Sequence, residues 1–151
     1  MRAVLQRVIS ARVLVADEVV GTIDAGLLVY VGVGAGDGPT EVAWLARKIA
    51  ELRLFPESTA EGARSMERSL DESGGAVLLV SQFTLMADTR RGRRPAFISA
   101  AAPQVAAPLI DALADVLRAR GIEVATGRFG AHMRVESVND GPVTILLDSG
   151  E

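Results

Sequence analysis

Gly26 opens the run Leu27-Leu28-Val29-Tyr30-Val31-Gly32-Val33, which carries no charge and is followed by Gly34. A strand wetted on one side alternates apolar with polar residues. An uninterrupted apolar run of strand length therefore belongs in the middle of a sheet, covered on both faces. A second run, Ala76-Val77-Leu78-Leu79-Val80, reads as another buried strand. Two amphipathic segments can pack on such a sheet. After Pro39, the residues Val42, Leu45, Ile49 and Leu52 recur at helical spacing and form one stripe. A second helix is expected over 103–120, with Leu109, Leu113, Val116 and Leu117 inward and Gly121 as its stop. Pro108 falls inside it and implies either a kink or a regular part that starts there.

Residues 1–15 read as one long strand or two short ones broken near Ser10-Ala11, and Asp17-Glu18 as a turn into a hairpin partner over 19–23. Segments 122–126 and 133–138 read as strands, and a last strand follows Gly141-Pro142. The stretch 55–75 lacks periodicity and is expected to be a long excursion holding a turn of helix. The order predicts an α/β fold: a single domain over 1–151, with a mixed sheet curled toward a barrel and two packed helices. A chain of 151 residues suits one core of this kind.

Cysteine is absent, which removes thiol nucleophiles, disulfides and cysteine-based zinc sites. The single histidine, His132, rules out a multi-histidine metal centre and reads as a partly exposed strand residue. No apolar run has the roughly 18–20 residues that a membrane span needs. The start of the chain turns charged too soon for a signal peptide, so a cytoplasmic protein is expected. The net charge of −3 argues against indiscriminate binding along nucleic acid but allows a local basic patch. The glycines of Gly34-Ala35-Gly36-Asp37-Gly38 lack the dinucleotide-binding spacing and read as a flexible connection into the first helix.

Three polar features remain. Ser81-Gln82-Phe83-Thr84-Leu85 ends the second apolar strand, where unpaired polar groups would each cost roughly 1–3 kcal/mol. Its hydroxyls can cap a turn, its backbone amides can form an oxyanion hole, or Ser81 or Thr84 can act as a nucleophile, although no adjacent histidine serves as base. Gly141-Pro142 is either a tight turn between strands or a rigid pair of carbonyls able to grip an ammonium group. Arg90, Arg91, Arg93 and Arg94 crowd four guanidinium groups into five residues, as a solvated loop or a phosphate contact.

Together with Leu5-Gln6-Arg7-Val8, Gly26-Leu27-Leu28, Arg91-Gly92-Arg93-Arg94-Pro95, Thr126-Gly127-Arg128-Phe129-Gly130-Ala131 and Asn139-Asp140-Gly141-Pro142-Val143-Thr144, these features resemble the D-aminoacyl-tRNA deacylases over nearly the whole chain. The resemblance implies a homodimer that hydrolyses D-aminoacyl-tRNA, glycyl esters being a further substrate, without metal or other cofactor. It implies that Ser81, Gln82, Phe83 and Thr84 line the site and supply the oxyanion-binding amides. Gly141 and cis-Pro142 would reach into the partner's site, hold the amino group and reject L side chains, with Arg7 fixing their position. Attack by water assisted by the substrate's 2′-hydroxyl is the favoured chemistry, and Thr84 as nucleophile the second.

Arg91 stands where the family commonly has lysine, Ser137 occupies a usually apolar position, and the stretch around Pro56 and Glu67 diverges. These departures bear on loop shape and tRNA preference. Two other functions compete: a non-catalytic RNA-binding module using the arginine loop, and a small-molecule esterase indifferent to that loop.

Overall fold

The computed structural model describes residues 1–58 and 65–150. β1 (Arg2–Val15) runs unbroken through Ser10-Ala11. The irregularity expected there lies in register instead: its pairing with the last strand slips between Gln6 and Val8 and again between Val8 and Ser10. Ala16 and Asp17 take positive φ, 47° and 66°, as the two central residues of a hairpin whose Val15 pairs with Glu18. The turn thus sits one residue earlier than expected, because positive φ at both central positions matches the right-handed twist of paired strands. β2 (Glu18–Ile23) returns along β1.

β3 (Gly26–Gly32) runs antiparallel to β1, and β4 (Ala76–Ser81) parallel to β3. β5 (Val124–Thr126) is parallel to β4, and β6 (Arg134–Asp148) lies antiparallel to β1 on its other side. β2 packs against β4 and β5, so the mixed sheet nearly closes into a barrel. Parallel neighbours need crossovers, which α1 (Pro39–Glu51), α2 (Leu70–Ser73) and α3 (Pro103–Ala119) supply. Leu27, Val29 and Val31 of β3 face α1 and α3, while Leu28 joins Leu78, Val80 and Val13 inside the barrel. Both faces of the apolar strands are therefore covered, as their composition demands.

The helix stripes differ from expectation in phase. On α1, Val42, Leu45 and Ile49 are buried as expected, while Leu52, at the C-cap, is half-buried against the core and Ala46 and Ala50 complete the stripe. On α3 the inward residues are Ala106, Ile110, Leu113, Ala114 and Leu117, whereas Val116 is exposed and Leu109 half-buried. Alanines make up part of the buried face, and the larger Val116 turns outward. Pro108 is accommodated within a continuous helix on its exposed side, where water can satisfy the carbonyl it leaves without a donor.

The excursion contains the expected turn of helix, α2, capped at Ser69: its hydroxyl accepts from the Glu72 amide at 3.3 Å and the Glu72 carboxylate accepts from the Ser69 amide at 2.7 Å. The middle of the excursion, 59–64, lies outside the described residues, as does residue 151 of the expected 1–151 domain. The connection before α1 is tied down by Asp37, whose carboxylate accepts from the Gly34 amide at 2.5 Å and from the Met1 ammonium at 2.8 Å. The two expected C-terminal strands are one strand, β6, and Gly141-Pro142 is a bulge within it rather than a turn between strands.

Candidate active site

β4 ends with its pairing carried one residue further: the Gln82 amide donates to the Val31 carbonyl at 2.7 Å. The chain then closes a 3-10 turn over Phe83–Met86, where the Leu85 amide donates to the Gln82 carbonyl at 3.2 Å and the Ala87 amide to Thr84 at 3.2 Å. The Gln82 amide is thus spent in the sheet. Phe83 and Thr84 begin the turn, and such a turn leaves its first donors without internal partners. β3 can approach this turn because residue 32 is glycine: a Cβ there would lie 2.9 Å from the Gln82 carbonyl oxygen and 3.0 Å from Leu85 Cβ. Gly32→Ala is expected to displace the turn and destabilise the fold by about 1–3 kcal/mol, read as a lowered denaturation midpoint.

Ser81, Gln82 and Phe83 line a cavity of about 610 Å³ between the end of the sheet and the start of α3. Thr84 is exposed and does not line it; its hydroxyl accepts from Gln82 Nε2. Across the cavity, Phe97 packs edge-on against Phe83 with ring centroids 5.1 Å apart, and Phe129 adds a third aromatic wall. The Phe97 segment is fastened by Ser99 Oγ donating to the Met86 carbonyl at 2.9 Å and the Ala101 amide donating to Val33 at 2.9 Å. Sequence reasoning gave no role to Phe97; the only available signal was the scarcity of aromatic residues, 4% of the chain. His132 precedes β6 instead of lying in a strand, is exposed, and lines the same cavity. No cluster of three or more metal-ligating side chains occurs among the described residues.

Arg7 organises the second feature. On β6, Thr144 pairs with Gln6 and Asn139 with Val8, so residues 140–143 bulge out opposite Arg7 alone. The Asn139 side chain closes the neck of the bulge, accepting from the Val143 amide at 2.8 Å and donating to its carbonyl at 3.2 Å. Arg7 is 4% exposed. It donates from Nε to the Asp140 carbonyl at 3.0 Å and from Nη1 to the Leu54 carbonyl at 2.7 Å, and it pairs with the Asp140 carboxylate at 3.4 Å. The bulge carries a cis Gly141-Pro142 bond at its exposed tip, and Gly141 adopts φ +145°. Neither residue lines the cavity of its own chain.

The arginine loop is closed by mutual backbone bonds between Asp88 and Ala96, 2.7 and 2.9 Å long. Arg90 folds back onto Asp88 with a two-point contact, Nε to Oδ1 at 2.9 Å and Nη2 to Oδ2 at 2.6 Å. This contact holds the Asp88 carboxyl well below the usual carboxylate range. Arg91, Arg93 and Arg94 are exposed and form no ion pair among the described residues. The cluster therefore divides into one clamped arginine and three projecting ones.

The family model of D-Tyr-tRNA(Tyr) deacylase matches residues 4–148, nearly the full described fold. The chain belongs to the D-aminoacyl-tRNA deacylase family. It is 60% identical over 149 residues to the D-aminoacyl-tRNA deacylase of Roseiflexus sp. (strain RS-1), covering 99% of this chain and 94% of that one. It is 57% identical over 150 residues to the enzyme of the same description from Kineococcus radiotolerans, covering 99% and 100%. A solved structure, the c-Myc DNA Unwinding Element Binding Protein, superposes with a TM-score of 0.89 at 35% identity, covering 99% of each chain. A probable eukaryotic D-amino acid tRNA deacylase shares the fold with a TM-score of 0.81 at 21% identity over 97% of each chain.

Outside the arginine loop, the fold of this deacylase-family chain keeps the sequence-derived site residues in two groups. Ser81, Gln82 and Phe83 meet in the cavity wall, with Thr84 just behind the turn. Arg7 meets the Gly141-Pro142 bulge through the backbone of Asp140. Ser137 is exposed on β6, where a polar residue meets water, and Glu67 donates its amide to Phe55 at 2.9 Å in a short antiparallel contact.

Proposed function

We propose that this chain hydrolyses the ester joining a D-amino acid to the terminal ribose of tRNA, releasing free tRNA and the D-amino acid. The observation that carries the reading is the turn at the end of β4, which offers the Phe83 and Thr84 amides beside a cavity walled mostly by apolar groups. Donors fixed where charge develops stabilise a tetrahedral intermediate without any titrating side chain. Water adds to the ester carbonyl, the carbonyl oxygen takes the negative charge, and collapse breaks the bond to the ribose oxygen, which receives the proton. The substrate's neighbouring 2′-hydroxyl assists the attack.

Homodimer formation brings Gly141 and Pro142 of one subunit to the cavity of the other. There, the carbonyls hold the substrate ammonium and crowd an L side chain, so that chirality is enforced by rejection. Glycyl-tRNA, with no side chain to reject, is a second substrate. Arg91, Arg93 and Arg94 contact tRNA phosphates, while Arg90 shapes their loop through Asp88. The enzyme works in the cytoplasm; no described helix is long and apolar enough to cross a membrane.

Incubation with matched D- and L-tyrosyl-tRNA tests the reading. Loss of the D-ester alone, above spontaneous hydrolysis, is expected; background loss of both, with glycyl-tRNA also intact, would reject it. Thr84→Ala separates the two mechanisms. Among the described residues the Thr84 hydroxyl has Gln82 as its only hydrogen-bond partner, so no base is in contact to activate it. The variant is expected to retain turnover, whereas removing a true nucleophile costs a hydrolase about a millionfold in kcat.

A further inference from the structure

Among the described residues whose side chains line the cavity, only Ser81, Gln82 and His132 are polar, and His132 alone can carry charge. It is also exposed, which places it at the rim. β3, β4, the 3-10 turn and the start of α3 contribute no titratable group to this wall. The nearest charged residues on its own segment are engaged elsewhere, Arg128 with Glu18 at 4.0 Å and Arg134 with Asp17. Among the described residues no other charged side chain in the wall competes with His132 for an anion or neutralises its charge.

A tRNA 3′ end entering this cavity must leave its phosphates outside, because an ionised group placed in an apolar enclosure without a partner is strongly disfavoured. The terminal nucleoside and its ester go in, and the phosphate that leads into them stays at the rim. We propose that His132 is a substrate-binding residue whose imidazolium grips this phosphate and so sets the depth at which the terminal nucleoside sits. This rests on the deacylase reading and assigns a role that the sequence did not give to the chain's one histidine. An imidazole can hold a phosphate by charge only while protonated, so the contact is read at two pH values. It acts on binding and leaves the chemical step untouched.

The test measures kcat and KM on D-tyrosyl-tRNA near pH 6 and near pH 8, corrected for spontaneous hydrolysis, for the unsubstituted enzyme, His132→Ala and His132→Arg. The substrate's own amino group titrates over a similar range, so each variant is compared with the unsubstituted enzyme at the same pH. His132→Ala is expected to raise KM about two- to fivefold near pH 6, the range of an exposed charge contact, and hardly at all near pH 8, with kcat unchanged. His132→Arg should hold the low KM at both values, which a merely structural role for the ring would not produce. An equal KM change at both pH values, or a fall in kcat with KM unmoved, overturns the proposal. Turnover by the unsubstituted enzyme with both variants indistinguishable from it overturns this inference alone. No turnover by the unsubstituted enzyme overturns the deacylase reading together with it.

Discussion

Arg7→Ala is expected to lower stability by about 2–5 kcal/mol and to abolish turnover of D-aminoacyl-tRNA. The estimate follows from what the guanidinium leaves behind. The Leu54 and Asp140 carbonyls each lose a charged donor, at 2.7 and 3.0 Å, in a place where water has little access. An orphaned polar group of this kind costs about 1–3 kcal/mol. The Asp140 carboxylate, 48% exposed, can turn to solvent and adds little. Activity suffers for a separate reason: residues 140–143 have no ladder partners, and Arg7 ties the first of them to the Leu54 backbone across the core. Arg7→Lys should recover only part of the stability, since one ammonium cannot reproduce a planar donor set aimed at two carbonyls. Urea denaturation and single-turnover deacylation, run on both variants, check the two effects separately. A fully stable and fully active Arg7→Ala enzyme would remove Arg7 from any account of the bulge.

How much of this was legible beforehand depends on the kind of pattern each feature leaves. β3 and β4 were readable because unbroken apolar runs admit one environment, and the structure buries both faces of each. The phase of α3 is hard to read because Ala106 and Ala114 carry almost no hydrophobic signal, yet they lie on its buried face. β6 was divided in two because proline ordinarily ends a strand. Only the partner strand reveals that Gln6 and Val8 pair on either side of a bulge opposite Arg7. The cavity was illegible for a different reason: Phe83, Phe97 and Phe129 come together through tertiary packing, which no spacing encodes. Likewise, four neighbouring arginines look equivalent in sequence, and only the fold of the loop assigns Arg90 to Asp88.

The Gly141-Pro142 bulge and the cavity need a test that joins them, and two variants provide it. Phe83→Pro deletes one amide of the turn. The preceding residue, Gln82, already lies outside the helical region that a following proline disfavours, at φ −146° and ψ 79°. Loss of one oxyanion donor should reduce turnover about 100- to 1000-fold, and Phe83→Ala, which keeps the amide, controls for the missing ring. Gly141→Ala acts on the other feature: its Cβ would lie 2.7 Å from Val143 Cγ2 and 2.8 Å from the Val143 amide nitrogen, at a φ that L residues rarely adopt. The resulting shift of the exposed tip costs about 1–3 kcal/mol locally. It should lower turnover of the D-ester about 100-fold, the scale of a small misplacement in an active site. Each variant alone is thus nearly inactive. When the two are unfolded together and refolded, the proposed homodimer would include mixed dimers that pair the intact turn of one subunit with the intact bulge of the other. If the bulge serves the partner's cavity, the mixture regains D-ester turnover from one complete site per mixed dimer. If each bulge serves its own chain, every site in the mixture keeps one lesion and turnover stays at the level of the separate variants.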